Sequence, residues 1–253
     1  MAGERLEVRS PFSGELLETL PLADREGALA AIGRARATHE AHPLGLSREE
    51  RSAILGRAAT LVSERAEAFA STIAREGGKP LRDARVEVTR AASNLRDLAG
   101  EAERFAGEEV PLERTAATLG RLAFTLQEPI GVVLAISAFN HPLNLIVHQV
   151  GTALAAGCPV VVKPALETPR TCLDFINLLY EAGAPPAWAQ AVLCSDDVAE
   201  AMARDPRVAY LSFVGSAKVG WHLRRVVAEG TRVGLEHGGV APVILDESAD
   251  LEL

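Results

Sequence analysis

Two stretches of this sequence combine residue types that could do chemistry. They are Leu211-Ser-Phe-Val-Gly-Ser-Ala-Lys-Val-Gly220 and, shortly after, Leu235-Glu-His-Gly-Gly239. The first reads as a strand that ends at a glycine turn and opens a helix. Gly215 permits a tight turn because it has no Cβ. Ser216 and the amides after it then stand at a helix N-terminus, where free N–H groups and the helix dipole favour an anion such as a pyrophosphate. The second places the carboxylate of Glu236 beside a Gly-Gly pair that lets a ligand approach the backbone. Either alone matches loosely, since a glycine turn between strand and helix is most often only a turn. Gly220 is followed by Trp221 and His222, so this is no Walker A loop, and the G-x-G-x-x-G dinucleotide fingerprint is absent.

The composition narrows the classes. The chain has 253 residues, 48% hydrophobic and 24% charged, which suits one or two domains with a sizeable core. A formal net charge of −8 argues against a nucleic-acid partner. No apolar run is long enough to span a membrane, and Met1-Ala-Gly-Glu-Arg5 is not a signal core, so a cytoplasmic protein is expected. The three cysteines, Cys158, Cys172 and Cys194, are far apart, with neither a C-x-x-C nor an H-E-x-x-H pattern, so no metal site is expected.

The elements that must position these residues follow from local patterns. Residues 6–21 read as a β-hairpin, Asp24 as the cap of a helix over 25–38, and Ser47-Arg-Glu-Glu50 as a capping box. The helix it opens carries Ile54, Ala58, Leu61 and Val62 on one face. A helix with Phe69 and Ile73 stops at Glu76-Gly-Gly-Lys-Pro80, and a long charged helix over 81–105 reads as a solvated outer face. Residues 112–129, with Leu119, Leu122, Phe124 and Leu126, read as an extended arm of two strands that needs a partner. From Gly131 strands alternate with helices. The strands are 132–136, 160–162, 191–193, 208–213, 233–236 and 242–245; the helices are 143–156, 168–182, 197–204 and 216–228. That alternation means an α/β fold with a parallel sheet covered on both faces, whose ligands bind beyond the carboxyl ends of the strands. Asn140, Lys163, Ser216 and Glu236 all fall at such ends.

At these residues the chain resembles the aldehyde dehydrogenase superfamily along nearly its whole length. The landmarks are Glu76-Gly-Gly-Lys-Pro80, Phe139-Asn-His-Pro142, Ala155-Ala-Gly-Cys-Pro-Val-Val-Val-Lys-Pro164, Phe213-Val-Gly-Ser216 and Glu236-His-Gly-Gly239. The resemblance implies a Rossmann-like fold: hairpin and helices over 1–111, an oligomerisation arm over 112–129 and a dinucleotide-binding core over 130–253. It implies NAD or NADP as cofactor, a small aldehyde as substrate, and a homodimer or homotetramer at full length. It makes Asn140 the oxyanion donor and Glu236 the general base. Ile136, Ser137, Phe139, Lys163, Gly215, Ser216, Val219 and Gly238 become the cofactor site, with Lys163 on the adenosine ribose and Gly215-Ser216 on the pyrophosphate.

The sequence also departs from the family pattern. Ala138 stands where many members have Pro, and His237 where most have Leu, either tuning the base or filling space. Leu166 occupies the position of a ribose-binding Glu, with Glu167 next to it. Without that carboxylate a 2′-phosphate is less repelled, and with Lys163 and Arg170 nearby NADP is expected to be tolerated. The family's nucleophilic Cys falls past Leu253, and the three cysteines read as small buried hydrophobes. The chain is therefore expected to be the cofactor-binding portion of an enzyme, without the catalytic domain. The alternatives are a non-catalytic dinucleotide- or partner-binding fragment and a coenzyme A-acylating enzyme.

Overall fold

The computed structural model describes residues 4–250. A hairpin of β1 (Arg5–Arg9) and β2 (Leu16–Pro21) leads into α1 (Arg25–Ala41), which Asp24 caps by accepting from the Gly27 amide at 2.8 Å. The helix α2 (Arg48–Glu64) starts at a reciprocal capping box. The Glu50 amide donates to Ser47 Oγ at 3.1 Å, and the Ser47 amide donates to Glu50 Oε2 at 2.8 Å. The next helix, α3 (Ala66–Gly77), stops at Gly78, which takes the left-handed conformation (φ 66°) and donates to Ala74. A Cβ there would also meet Pro11 Cγ at 2.8 Å.

The long helix α4 (Leu81–Arg104) is more than an outer face. Its Ala84, Val88, Ala91 and Leu95 are buried in one cluster with Leu55, Ala58 and Val62 of α2. The charges that suggested a solvated helix lie on the opposite side, except Glu87, which is buried.

The sheet is parallel, in the order β5-β4-β3-β6-β7: β5 (Ala189–Ala191), β4 (Val160–Lys163), β3 (Val132–Ile136), β6 (Val208–Gly215) and β7 (Arg232–His237). Alternate residues of β3 face opposite cores. Val133 and Ala135 join α2, α4 and α7 (Pro169–Glu181), while Val132, Leu134 and Ile136 join α1 and α8 (Asp196–Ala203). From β3 the chain steps outward one way through β4 and β5, then returns to place β6 on the other side. The gap beyond the carboxyl ends of β3 and β6 is therefore the topological switch point, where open α/β sheets bind ligands.

Several expected elements differ. The strand placed at 191–193 lies at Ala189–Ala191, because β4 begins at Val160, whose amide donates to Trp188 O and sets the register. The helix over 143–156 is interrupted: α5 (Asn144–Ile146) passes through a π-helical turn (Val147–Gly151) into α6 (Thr152–Ala155). The strand expected at 242–245 does not form. Gly238 takes φ 82° and turns the chain out of the extended direction, and Val243, Ile244 and Leu245 are exposed with no neighbouring strand among the described residues. The two-stranded arm is reduced to one antiparallel bridge, Glu109 with Phe124. A lone ribbon has too little to bury for a regular ladder.

Candidate functional site

A groove of about 530 Å³ opens beyond the carboxyl ends of β3, β4 and β6. The register puts Ile136 beside Lys163 on one side and Phe213 on the other, so these three ends form one row. Ile136, Ser137, Phe139, Lys163, Gly215, Ser216 and Val219 all line it. Ser216 caps α9 (Ala217–Val226), its hydroxyl accepting from the Val219 amide at 3.4 Å. The first turn of α9 thus presents backbone N–H groups to the groove.

The role read for Gly215 needs correction. It is the last residue of β6 and does not have a positive φ. What it supplies is room: a Cβ would stand 2.6 Å from Phe213 Cζ. Gly220 works in the same way, since a Cβ there would meet His237 Cδ2 at 2.6 Å and the Phe213 ring at 3.2 Å. These two glycines let α9 settle onto Phe213 and His237. His237 packs edge-on to Trp221, with ring centroids 5.1 Å apart.

Two observations bear on what the groove can hold. Ser137 lines it and is only 7% exposed, and its buried hydroxyl has no hydrogen-bond partner among the described residues. A buried orphan hydroxyl is costly unless a ligand group or water meets it. Lys163 is buried, and its ammonium pairs with Asp196 Oδ1 at 2.8 Å rather than reaching free solvent. Arg170 is not available to the groove, because Glu18 and Asp174 hold it at 2.9 Å each. Gly238 lies outside the groove lining.

A second cavity of about 600 Å³ lies on the other face of β6. Tyr210, Ser212 and Val214 line it; Val214 also lines the groove, so the two meet at this residue. Glu236, exposed and inside β7 rather than after it, forms one wall. Gln149, which the sequence reading passed over, forms another. The π-turn carries its amide to donate to Ile136 O at 3.2 Å and Ser212 O at 3.0 Å, tying β3 to β6 at their carboxyl ends. Its Oε1 is buried without a partner among the described residues. Cys158 also lines this cavity, but it precedes β4 and so belongs to the amino end of the sheet. Burial raises the thiol pKa of Cys158 and Cys172 and takes that of Cys194 to about 11.

Asn140 is exposed in the loop between β3 and α5 and lines neither cavity. The loop is anchored from α4. Glu87, 1% exposed at its side chain, accepts from the Leu143 amide at 2.9 Å and the Asn144 amide at 3.1 Å, and pairs with Lys79 at 2.5 Å. Lys79 also meets His141 Nδ1 at 2.9 Å. Since α5 has no side-chain cap of its own, Glu87 supplies one from a distant helix. Glu76 does the same for α7, accepting from the amides of Arg170 (2.9 Å) and Thr171 (3.0 Å) and from the Thr171 hydroxyl. Burial pushes the Glu76 pKa up to about 7, against the pull of those hydrogen bonds. Lys79 and Glu76 stood in a motif legible in sequence; Glu87 had no such signal.

The family model for the aldehyde dehydrogenase family matches residues 1–253. The chain is 39% identical over 251 residues to 3-sulfolactaldehyde dehydrogenase of Priestia aryabhattai, covering 98% of this chain and 52% of that protein. It is 36% identical over 252 residues to a probable NADP⁺ succinate-semialdehyde dehydrogenase of Sinorhizobium fredii, covering 98% of this chain and 50% of that protein. Among solved structures, aldehyde dehydrogenase 21 of Physcomitrella patens, in complex with the product succinate, superposes with a TM-score of 0.90 at 33% identity. That match covers 95% of this chain and 50% of the other. An NADP-dependent glyceraldehyde-3-phosphate dehydrogenase of Bacillus halodurans, complexed with NADP, also gives 0.90 at 32% identity, covering 99% and 52%. The chain spans about half the length of the curated relatives it matches. With a Rossmann-like sheet, a groove at its switch point and a family model matching from end to end, this chain belongs to the aldehyde dehydrogenase family.

Proposed function

We propose that this chain is the cofactor-holding portion of an NAD(P)-dependent aldehyde dehydrogenase, which oxidises a small aldehyde to a carboxylic acid. One observation carries the reading: the residues expected to hold the dinucleotide, Gly238 apart, line a single groove, and the buried hydroxyl of Ser137 there lacks a partner among the described residues. In this reading Ser216 and the α9 amides hold the pyrophosphate, and Lys163 reaches the ribose. Ile136, Phe139 and Val219 give the groove its apolar walls. When bound, the nicotinamide supplies a hydride acceptor.

Asn140 donates its amide N–H to the oxyanion that develops on the substrate carbonyl. Glu236, at the wall of the neighbouring cavity, takes a proton from water or thiol. The attacking thiolate is none of Cys158, Cys172 and Cys194, which are buried and held protonated. The exposed apolar residues of 112–129 form an arm for a homodimer or homotetramer at full length.

Absorbance of reduced cofactor, followed with short aldehydes, tests this. Residues 1–253 alone should give no turnover, because loss of a nucleophile costs several orders of magnitude. Activity should appear when a Cys-bearing segment is supplied in the same chain or as a complementing partner. There, Asn140→Ala should lower kcat by about 100-fold or more. Turnover by residues 1–253 alone that disappears on changing one of the three cysteines would refute the assignment.

A further inference from the structure

Lys79 of the Glu76–Pro80 turn lines neither cavity, yet its surroundings hold it firmly. Gly78 before it is left-handed (φ 66°), and Pro80 after it confines its backbone to extended conformations. The Lys79 ammonium donates to Glu87 Oε2 at 2.5 Å and to His141 Nδ1 at 2.9 Å. Glu87 is fixed in turn, since its other oxygen accepts from the Leu143 and Asn144 amides. Lysine, carboxylate and imidazole thus form one cluster beside the loop that carries Asn140.

We infer that Lys79 and His141 are positioning residues for Asn140, and that Lys79 holds the His141 ring neutral with its proton on Nε2. The inference rests on the oxyanion role proposed above for Asn140. An ammonium has three donors and no lone pair. An imidazole nitrogen 2.9 Å from it must accept, so Nδ1 carries no proton. Glu87 Oε2 is the other group near Nδ1, but it stands farther off, at 3.4 Å, and Lys79 already donates to it. His141 precedes Pro142, so its own backbone is confined to extended conformations as well. With the ring pinned and the backbone restricted, the peptide joining Asn140 to His141 has a set direction. Asn140 needs that support, because it is exposed and forms no hydrogen bond of its own among the described residues. An oxyanion donor acts only when it is aimed in advance, to within about 0.5 Å.

Nitrogen NMR of residues 1–253 labelled at histidine tests the tautomer, with His141→Phe to assign the signals. His141 should show an unprotonated Nδ1 and a protonated Nε2; a protonated Nδ1 would overturn the inference. Lys79→Met strands the buried Glu87 carboxylate, so the functional arm changes His141 instead and keeps that ion pair. With the Cys-bearing segment supplied, His141→Phe should lower kcat by about tenfold or more and move KM by less than about twofold, because misplacement costs turnover rather than binding. The carbonyl oxygen of Asn can accept from Lys79 as Nδ1 does, so His141→Asn should bring kcat back to within about threefold of the parent. Equal losses in the two variants would overturn the inference. So would unchanged kcat in both, and if Asn140→Ala still lowered kcat the oxyanion reading would stand without it. If Asn140→Ala itself leaves kcat unchanged, that reading fails and the inference falls with it.

Discussion

Gly215 and Gly220 show how a single missing atom shapes the site. Both stand against Phe213, and a Cβ on Gly215 would reach within 2.6 Å of its ring. Gly215→Val should therefore displace the ring or the start of α9 and weaken dinucleotide binding by more than tenfold, measurable by calorimetry on the folded variant. The motif was legible in sequence, but its reason was not, because a turn and a steric slot leave the same glycine. Glu87 illustrates the opposite case. It stands among the charges of α4, and only the fold reveals that it caps α5 and pairs with Lys79 while almost wholly buried. Glu87→Ala removes that cap and leaves a mostly buried lysine unpaired. Breaking such a pair costs about 3–5 kcal/mol, and urea denaturation should show a loss of that order. A loss below about 1 kcal/mol would mean that water replaces the carboxylate.

At the scale of elements, the helices that follow β3 and β4 share one device. Each starts with a buried carboxylate delivered from α3 or α4 rather than with its own cap. For Glu76 this has a pH consequence. Its folded pKa is raised from 4.5 to about 7, chiefly by burial, so the folded state holds the proton more tightly than the unfolded chain. Its contribution is fully present below about 4.5 and is lost as pH rises to about 7, at up to about 1.4 kcal/mol per pH unit. Denaturation across that window should show Glu76→Gln flattening the slope; an unchanged slope would rule out Glu76 as its source. Strand and helix identities were largely readable, since runs such as Val160-Val-Val162 and the Ser47–Glu50 box carry local signals. The misses at 112–129 and 242–245 are segments whose apolar patterns call for a partner strand that the described residues do not provide.

At the scale of the whole molecule, apolar side chains stand uncovered in two places. Leu119, Leu122, Phe124 and Leu126 project from the arm, and Val240, Val243, Ile244 and Leu245 follow the sheet. Exposed patches of this kind mark association surfaces. Sedimentation velocity should show self-association of residues 1–253 that weakens when Leu122 and Phe124 are both changed to Glu. A strictly monomeric parent would contradict the reading of the arm. The arm's share of this surface is legible in the sequence, whereas 242–245 reads there as a strand. Glu236, Gln149 and Val214 are brought around adjoining cavities by the parallel topology alone, and no local pattern contains that information.

The measurement that tests the account most directly is calorimetric titration of NAD into residues 1–253 and into a Ser137→Val variant. The account predicts one molecule bound per chain to the parent. It predicts binding at least tenfold weaker in the variant, which loses the buried hydroxyl and crowds the groove. A folded parent that takes up no NAD, or a variant that binds it as tightly as the parent, would contradict the assignment of the groove.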